Sequence, residues 1–329
     1  MDKLENDIYF EENYSKLYED IEEGETKVFR LTCEYGEIES IFIKRKIDFY
    51  EKEEVYDITT PYGYGGPRII WVDNDNKDKL IEIYKRKFKE FCEKENIISE
   101  FIRFHPIIKN ADDFKNVYYV EKNRITLGTN LSSFDDPVSN EFSKSCRKKI
   151  RRALKSGVKF EVDENLASLD DFIKVYYSTM DRNNASEFYY FDKQYFEKCI
   201  EYFPNNIIIV KAILDGDTIA AGFYFIVNDI IHIHLSGTLD KYLYISPAYI
   251  LRYAVTLWGK EKGYKLIHHG GGRTNSEDDG LYKFKKNFSK HTEFDFYIGK
   301  KIWNLDLYKE ICDLKNVNYE DEYFPAYRK

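Results

Sequence analysis

Apolar positions in the second half of the chain follow two rhythms. Phe142, Cys146, Ile150 and Leu154 recur every four residues with Ala153 beside them, which puts one apolar stripe on a helix. Gly157 stops that helix, and Val158-Lys159-Phe160-Glu161-Val162 then alternates as a strand does. The pattern goes on to predict a strand over 158–163, helices over 169–183 and 192–203, and strands over 207–214, 219–227 and 230–236. The strands are separated by Asp215-Gly216-Asp217 and Asn228-Asp229, both typical of hairpin turns. A helix over 247–262, a strand over 265–269, a glycine turn, a helix over 281–288 and a strand over 293–298 complete the order β-α-α-β-β-β-α-β-α-β.

The first half repeats the order rather than the residues. An acidic helix over 10–23 leads into a hairpin of strands 27–33 and 37–46 around Glu34-Tyr35-Gly36. A strand over 54–58, a helix over 77–94 and a strand over 98–104 follow, and short strands over 117–120 and 124–129 close it. The order α-β-β-β-α-β-β-β is the second scaffold with a helix missing, so the pattern predicts a duplicated α/β (α+β) domain. The expected boundaries are 1–139, 140–300, and a C-terminal segment 301–329 that packs back on the first domain.

Length and composition agree with two folded domains. The chain has 329 residues, 43% hydrophobic and 33% charged, which excludes a disordered or collagen-like chain. No run approaches the ~18 apolar residues of a membrane span, and Met1–Asp7 lacks the basic and apolar regions of a secretory leader. Five scattered cysteines without a C-x-x-C pair argue against disulfides or structural zinc and for a reduced, cytoplasmic setting. The 29 tyrosines and 24 phenylalanines invite a stacking surface, but the lysine-rich composition of an A/T-rich genome accounts for them.

Charge is unevenly spread over a chain of net charge −8. Nine acids face the single base Lys16 between Glu5 and Glu25, whereas eight bases and no acid lie between Phe142 and Phe160. Within the basic helix Lys148, Arg151 and Arg152 lie off the apolar stripe. They form either an ordinary solvated face or a surface for a polyanion such as tRNA, a nucleotide or a lipid pyrophosphate.

The element order, taken twice, resembles the GNAT acyltransferase fold in tandem. The segments "NEFSKSCRKKIRRALKSGVKF" at Asn140–Phe160, "SGT" at Ser236–Thr238, "GGG" at Gly270–Gly272 and "GLYKFKKNF" at Gly280–Phe288 resemble the FemABX peptidoglycan-bridge aminoacyltransferases and the related BioF2-like acetyltransferases. This resemblance implies two tandem GNAT-like domains facing a central cleft, the first on the acceptor side. It also implies transfer of an aminoacyl group from tRNA, or an acyl group from coenzyme A, onto the amine of a cell-envelope precursor, with no permanently bound cofactor. An acyl-CoA N-acetyltransferase for an amino sugar and a non-catalytic binding protein of the same fold are the alternatives. The oligomeric state is left open.

Individual residues refine this. On a helix Leu281, Phe284 and Phe288 share a face, Lys285 lies beside it and Lys283 nearly opposite. Lys285 can therefore bury its stem and project its ammonium into a cleft. The related transferases carry a Phe-Lys pair at the matching place, so the resemblance implies that Lys285 is catalytic and that Phe284 shapes the channel. No Ser-His-Asp or Cys-His motif is present, which favours direct attack on the ester without an acyl-enzyme.

Ser246-Pro247 opens a helix whose N-terminus suits an anion. The preceding stretch Leu239–Ile245 has no glycine, unlike the usual coenzyme A loop. His232 and His234 stand at i and i+2 on one strand; they line a cleft or are simply buried, since no third ligand supports a metal site. Gly271 and Arg273 belong to a glycine loop that is either a close-approach site or a structural turn. Tyr62 and Tyr64 lie in the Thr60–Pro67 segment, read as an exposed substrate loop, with Arg103 and His105 near the same cleft. Arg182 is a candidate anion clamp.

Overall fold

The computed structural model describes residues 6–329, so the Met1–Glu5 stretch weighed above lies outside the described residues. Chain contacts define two compact units, one of Met1–Asn123 with Asp295–Lys329 and one of Arg124–Phe294. No helix among the described residues is long and apolar enough to cross a membrane.

In the first unit the expected helix over 10–23 is broken into α1 (Glu12–Lys16) and α2 (Glu19–Glu22). The backbone leaves helical geometry at Tyr18 (φ −111°, ψ 4°), where the fully buried rings of Tyr14 and Tyr18 bring their hydroxyls within 3.3 Å. Next come β1 (Gly24–Cys33), β2 (Gly36–Lys46), β3 (Tyr56–Thr59), β4 (Arg68–Val72), α3 (Lys77–Lys94), β5 (Ile97–Arg103) and α4 (Asn110–Phe114). β1 and β2 form an unbroken hairpin from Gly24↔Arg45 to Cys33↔Gly36, β2 pairs antiparallel with β3, and β3 runs parallel to β5. β4 borders the start of β2. α3 buries Leu80, Ile81, Tyr84, Phe88 and Cys92 at helical spacing.

β6 (Tyr119–Asn130) is one continuous strand where two short ones were expected. From Arg124 onward it belongs to the second unit, together with α5 (Pro137–Glu141), α6 (Lys144–Lys155), β7 (Lys159–Asp163), α7 (Leu169–Arg182), α8 (Lys193–Tyr202), β8 (Ile207–Leu214), β9 (Asp217–Val227), β10 (Ile230–Thr238), α9 (Ala248–Glu261), β11 (Leu266–Gly271) and α10 (Gly280–Lys286). The segment 124–139, expected in the first domain, joins the second because β6 pairs antiparallel with β11 from Asn130↔Leu266. The strand order is β6-β11-β10-β9-β8-β7, antiparallel except for β10 with β11.

After β12 (Glu293–Ile302), whose residues from Ile298 to Ile302 pair with β5, α11 (Leu305–Leu314) and the C-terminal residues complete the first unit. There Tyr308, Ile311, Cys312, Ala326 and Tyr327 cluster with Ile47, Tyr50, Val55 and Ile98. In the second unit α6 and α9 cover the sheet with Cys146, Ile150, Ala153, Ile250, Leu251, Ala254 and Val255 against Ile208, Val210 and Ile231. Each isoleucine, leucine and valine among them contributes about 1.5–3 kcal/mol on burial.

Candidate active site in the second unit

The pairing of β10 with β11 is short. It runs from Ile230↔Leu266 to His232↔His268 and then stops, although β10 continues to Thr238 and β11 to Gly271. β10 bulges between Ile233 and Leu235, and β11 shifts register between His268 and Gly270, where Gly270 takes the left-handed φ of +71°. Beyond this point the two strands no longer pair, while β11 stays paired with β6 as far as Gly271↔Thr126.

α10 presents its side chains to this end of β11. The Asp279 carboxylate caps the helix by accepting from the Tyr282 N–H at 2.8 Å, and it also accepts from the Arg273 and Thr274 N–H groups at 3.1 and 3.2 Å. The glycine-rich loop is thus closed by the chain's own carboxylate. Phe284 packs edge-on against Tyr249 and Phe288, with centroids 5.2 Å away in each case. Beside it, Lys285 is half-buried and its Nζ donates to the Gly271 carbonyl at 2.7 Å. Burial, followed by the charge of Arg252, pushes the Lys285 amine down to about 7, against the opposing pull of Asp279. Lys283 and Lys286 point elsewhere, bonded to Asp278 and Glu293.

Two buried imidazoles flank the strand end. His269 Nε2 meets Thr129 Oγ1 at 2.8 Å; that hydroxyl donates to the Phe288 carbonyl at 2.7 Å, so the imidazole is the donor and carries its proton on Nε2. Its Nδ1 has no partner, and burial together with the Arg252 and Lys285 charges holds the ring well below the usual histidine range. His268 Nε2 lies 3.1 Å from Thr126 Oγ1, and its ring stands edge-on to His232 at 5.6 Å. His234 sits at the β10 bulge with its Nε2 2.8 Å from the Tyr195 hydroxyl. Burial, and then His232, lowers it to about 3, so the ring is neutral.

The structure therefore brings Lys285, Phe284 and Gly271 together and disperses other candidates. Arg273 is exposed on the loop. Arg182 is not a free clamp: it donates to the Thr238 carbonyl at 2.8 Å and pairs with Asp240, tying α7 to the end of β10. Gly237 of the "SGT" segment serves the same contact, because a Cβ there would stand 2.4 Å from the Val175 carbonyl oxygen. Ser246 makes no cap; α9 starts after Pro247 with no side-chain cap bond. Lys148, Arg151 and Arg152 are exposed on α6 and make no ion pair among the described residues.

In the first unit the Thr60–Pro67 segment, expected to be exposed, is largely buried. Asn110 Nδ2 donates to the Gly65 and Pro67 carbonyls at 2.8 and 2.9 Å and pins it. Tyr64 packs edge-on against Tyr9, His105 and Phe296, while Tyr62 is half-buried with its carbonyl accepting from the Tyr14 hydroxyl at 2.8 Å. Arg103 donates to the Thr60 carbonyl at 2.8 Å. His105 is buried, its Nε2 3.3 Å from Asp7 Oδ2 and its Nδ1 accepting from the Ile108 N–H at 3.2 Å. Tyr64, Arg103 and His105 are thus each bonded to or packed against neighbours of their own unit.

The sequence reading missed Arg252 as a member of the cluster. The signal for Arg252 was present, a lone cation at a core-facing position within Ile250-Leu251-Arg252-Tyr253-Ala254.

Residues 140–286 match the acetyltransferase (GNAT) domain family. Along 273 residues, 76% of this chain and 78% of the relative, the chain is 23% identical to the UDP-N-acetylmuramoylpentapeptide-lysine N(6)-alanyltransferase of Weissella viridescens. Its fold is similar to the crystal structure of FemX, with a TM-score of 0.69, 15% identity and coverage of 93% of this chain and 94% of that one. The structure of L-PGS from Bacillus licheniformis is also similar, with a TM-score of 0.56, 15% identity and coverage of 89% and 93%.

Proposed function

We propose that this chain, FemABX-like in sequence and GNAT-like in fold, is an acyltransferase that moves an aminoacyl group from an activated ester onto an amine of a cell-envelope precursor. The observation that carries the reading is the Lys285 amine, held at the end of β11 beside Phe284, in a chain similar to an alanyltransferase over most of its length. The acceptor nitrogen attacks the ester carbonyl, the C–N bond forms and a tetrahedral oxyanion results. Collapse breaks the C–O bond, and the leaving hydroxyl takes a proton equivalent to the one the amine loses. Lys285 stabilises the oxyanion or the leaving oxygen, and Phe284 lines the channel. The exposed cations Lys148, Arg151 and Arg152 suit the phosphates of a charged tRNA, and Tyr62 is the first-unit candidate least committed to the scaffold.

Coenzyme A is the second donor, favoured by the acetyltransferase domain match over 140–286. Against it, the residues before α9 wind into a 3-10 turn, Asp240–Ile245, without glycine. Incubation with a uridine-diphosphate muramyl pentapeptide and either aminoacyl-tRNA or acetyl-CoA, followed by mass spectrometry, decides between them. An aminoacyl mass increment on the lysine amine with tRNA is expected. An acetyl increment alone supports the second donor, and no increment with either overturns the enzyme reading for this acceptor.

A further inference from the structure

β6 runs on past the end of its partner strand. Its ladder with β11 closes at Gly271↔Thr126, while β6 itself reaches back to Tyr119. The carbonyls that follow Gly271 therefore leave the sheet, and backbone acceptors that lose a ladder are satisfied by side chains or by water. Arg124, two residues before Thr126 on β6, supplies that side chain. Its Nη1 donates to the Gly272 carbonyl at 2.7 Å and to the Arg273 carbonyl at 3.0 Å. The Arg273 and Thr274 N–H groups of the same loop go to the Asp279 carboxylate. A cation from β6 and a carboxylate from the cap of α10 thus hold the two polar edges of the loop.

The carbonyl just before those two has another partner. The Gly271 oxygen accepts from Lys285 Nζ at 2.7 Å. The same residue lies against Arg124: a Cβ on Gly271 would stand 2.8 Å from the arginine Cδ and 3.2 Å from the Ile125 carbonyl oxygen. Three successive carbonyls are therefore held in a row, the first by Lys285 and the next two by Arg124. Any turn of the loop that frees Arg124 also swings the Gly271 carbonyl away from the lysine.

We propose that Arg124 is a positioning residue for the transfer: by pinning the Gly272 and Arg273 carbonyls and packing on Gly271, it fixes the carbonyl that seats the Lys285 ammonium. The inference rests on Lys285 acting in the transfer as read above. An ammonium has three N–H donors at the end of a flexible chain. One donor committed to a fixed carbonyl leaves the others aimed at a definite place, where the oxyanion or the leaving oxygen receives them without rearrangement. A guanidinium suits the anchoring task because its planar donors are pre-organised, whereas a lysine in its place is a mobile point charge.

The test joins a double-mutant cycle in the transfer assay to a substrate-free measurement on the intact protein. Arg124→Met should lower kcat about 10²-fold, the cost of misplacing a catalytic group by about 1 Å, with KM nearly unchanged. On a Lys285→Met background the same change should cost almost nothing, because it acts through the lysine. Arg124→Lys, which can still reach one carbonyl, should restore part of the lost rate. In NMR relaxation of ¹³C-labelled lysine, the Lys285 signal is assigned by its loss in Lys285→Arg. Its ε-methylene should be rigid in the wild type and as mobile as that of exposed Lys283 in Arg124→Met. An equally rigid Lys285 in a folded Arg124→Met protein overturns the proposal, as does an undiminished loss of kcat on the Lys285→Met background. Should the methionine variant fail to fold, Arg124→Gln is read by the same criteria. The relaxation measurement needs no substrate, so a protein that transfers nothing refutes the functional reading while the spectrum still decides the anchoring.

Discussion

Lys285 and Glu100 are both ionisable groups moved by burial, in opposite directions and with different consequences. For Lys285 the expected consequence is chemical. Replacing it with Met should lower kcat by about 10²–10³ with little change in melting, since one donor to a developing charge is lost. Lys283→Ala and Lys286→Ala break only exposed pairs with Asp278 and Glu293 and should stay near wild type. Equal losses in all three would remove the special role. For Glu100 the consequence is stability. It is 2% exposed, accepts from Trp303 Nε1 at 3.1 Å, and burial raises its carboxyl from 4.5 to about 8. Between those values the folded state holds a proton that the unfolded state has lost, so this group's stabilisation falls as pH rises. The slope approaches about 1.4 kcal/mol per pH unit. Urea titrations from pH 5 to 8 should show that decline in the wild type and a flatter profile in Glu100→Gln; parallel profiles would refute it. Helical spacing sufficed to single out Lys285 among its neighbouring lysines. It could not find Arg252, because its meaning depends on which groups across the fold fail to pair with it.

Among the elements, legibility followed periodicity. The apolar stripe of α6 and the alternation of β8 and β9 are long, and those elements lie within a few residues of expectation. β4 and α4 were not foreseen. β4 is five residues long with Ile70 and Trp71 exposed, so it has no clean alternation, and α4 is a five-residue turn. The Thr60–Pro67 segment shows the opposite error, since its glycines and prolines mark irregular backbone but say nothing about burial. Its Gly65 and Pro67 carbonyls are satisfied by Asn110, a partner more than forty residues away in sequence. Tyr64→Ala should accordingly cost about 3–5 kcal/mol in denaturant unfolding, the usual price of deleting a buried aromatic ring. Tyr62→Ala should cost clearly less, because its anchoring hydrogen bond uses the backbone carbonyl. A Tyr64→Ala protein of wild-type stability would restore the segment as a substrate loop.

At the scale of the whole molecule, the repeated element order was readable, and so was the return of 301–329 to the first domain, but its partners were not. The first unit is completed by residues 295–329, where Tyr327 donates to Asp57 at 3.1 Å and Arg328 pairs with the same buried carboxylate, contacts that no local pattern announces. Charge is the other global property, and here the total misleads. A chain of net charge −8 repels polyanions at long range, yet eight bases and no acid are gathered between Phe142 and Phe160. Any polyanion must therefore engage that patch at short range, and its affinity must depend steeply on salt. Reversing Lys148, Arg151 and Arg152 to Glu should weaken binding of charged tRNA and reduce the slope of log K against log salt by about 2–3, one phosphate contact being lost per cation. Melting should hardly change, because α6 is anchored through Cys146, Ile150 and Ala153 on its other side. Filter-binding isotherms between 50 and 200 mM salt measure both quantities. An unaltered slope would make the patch an ordinary solvated face and move the search for the donor site to the end of β11.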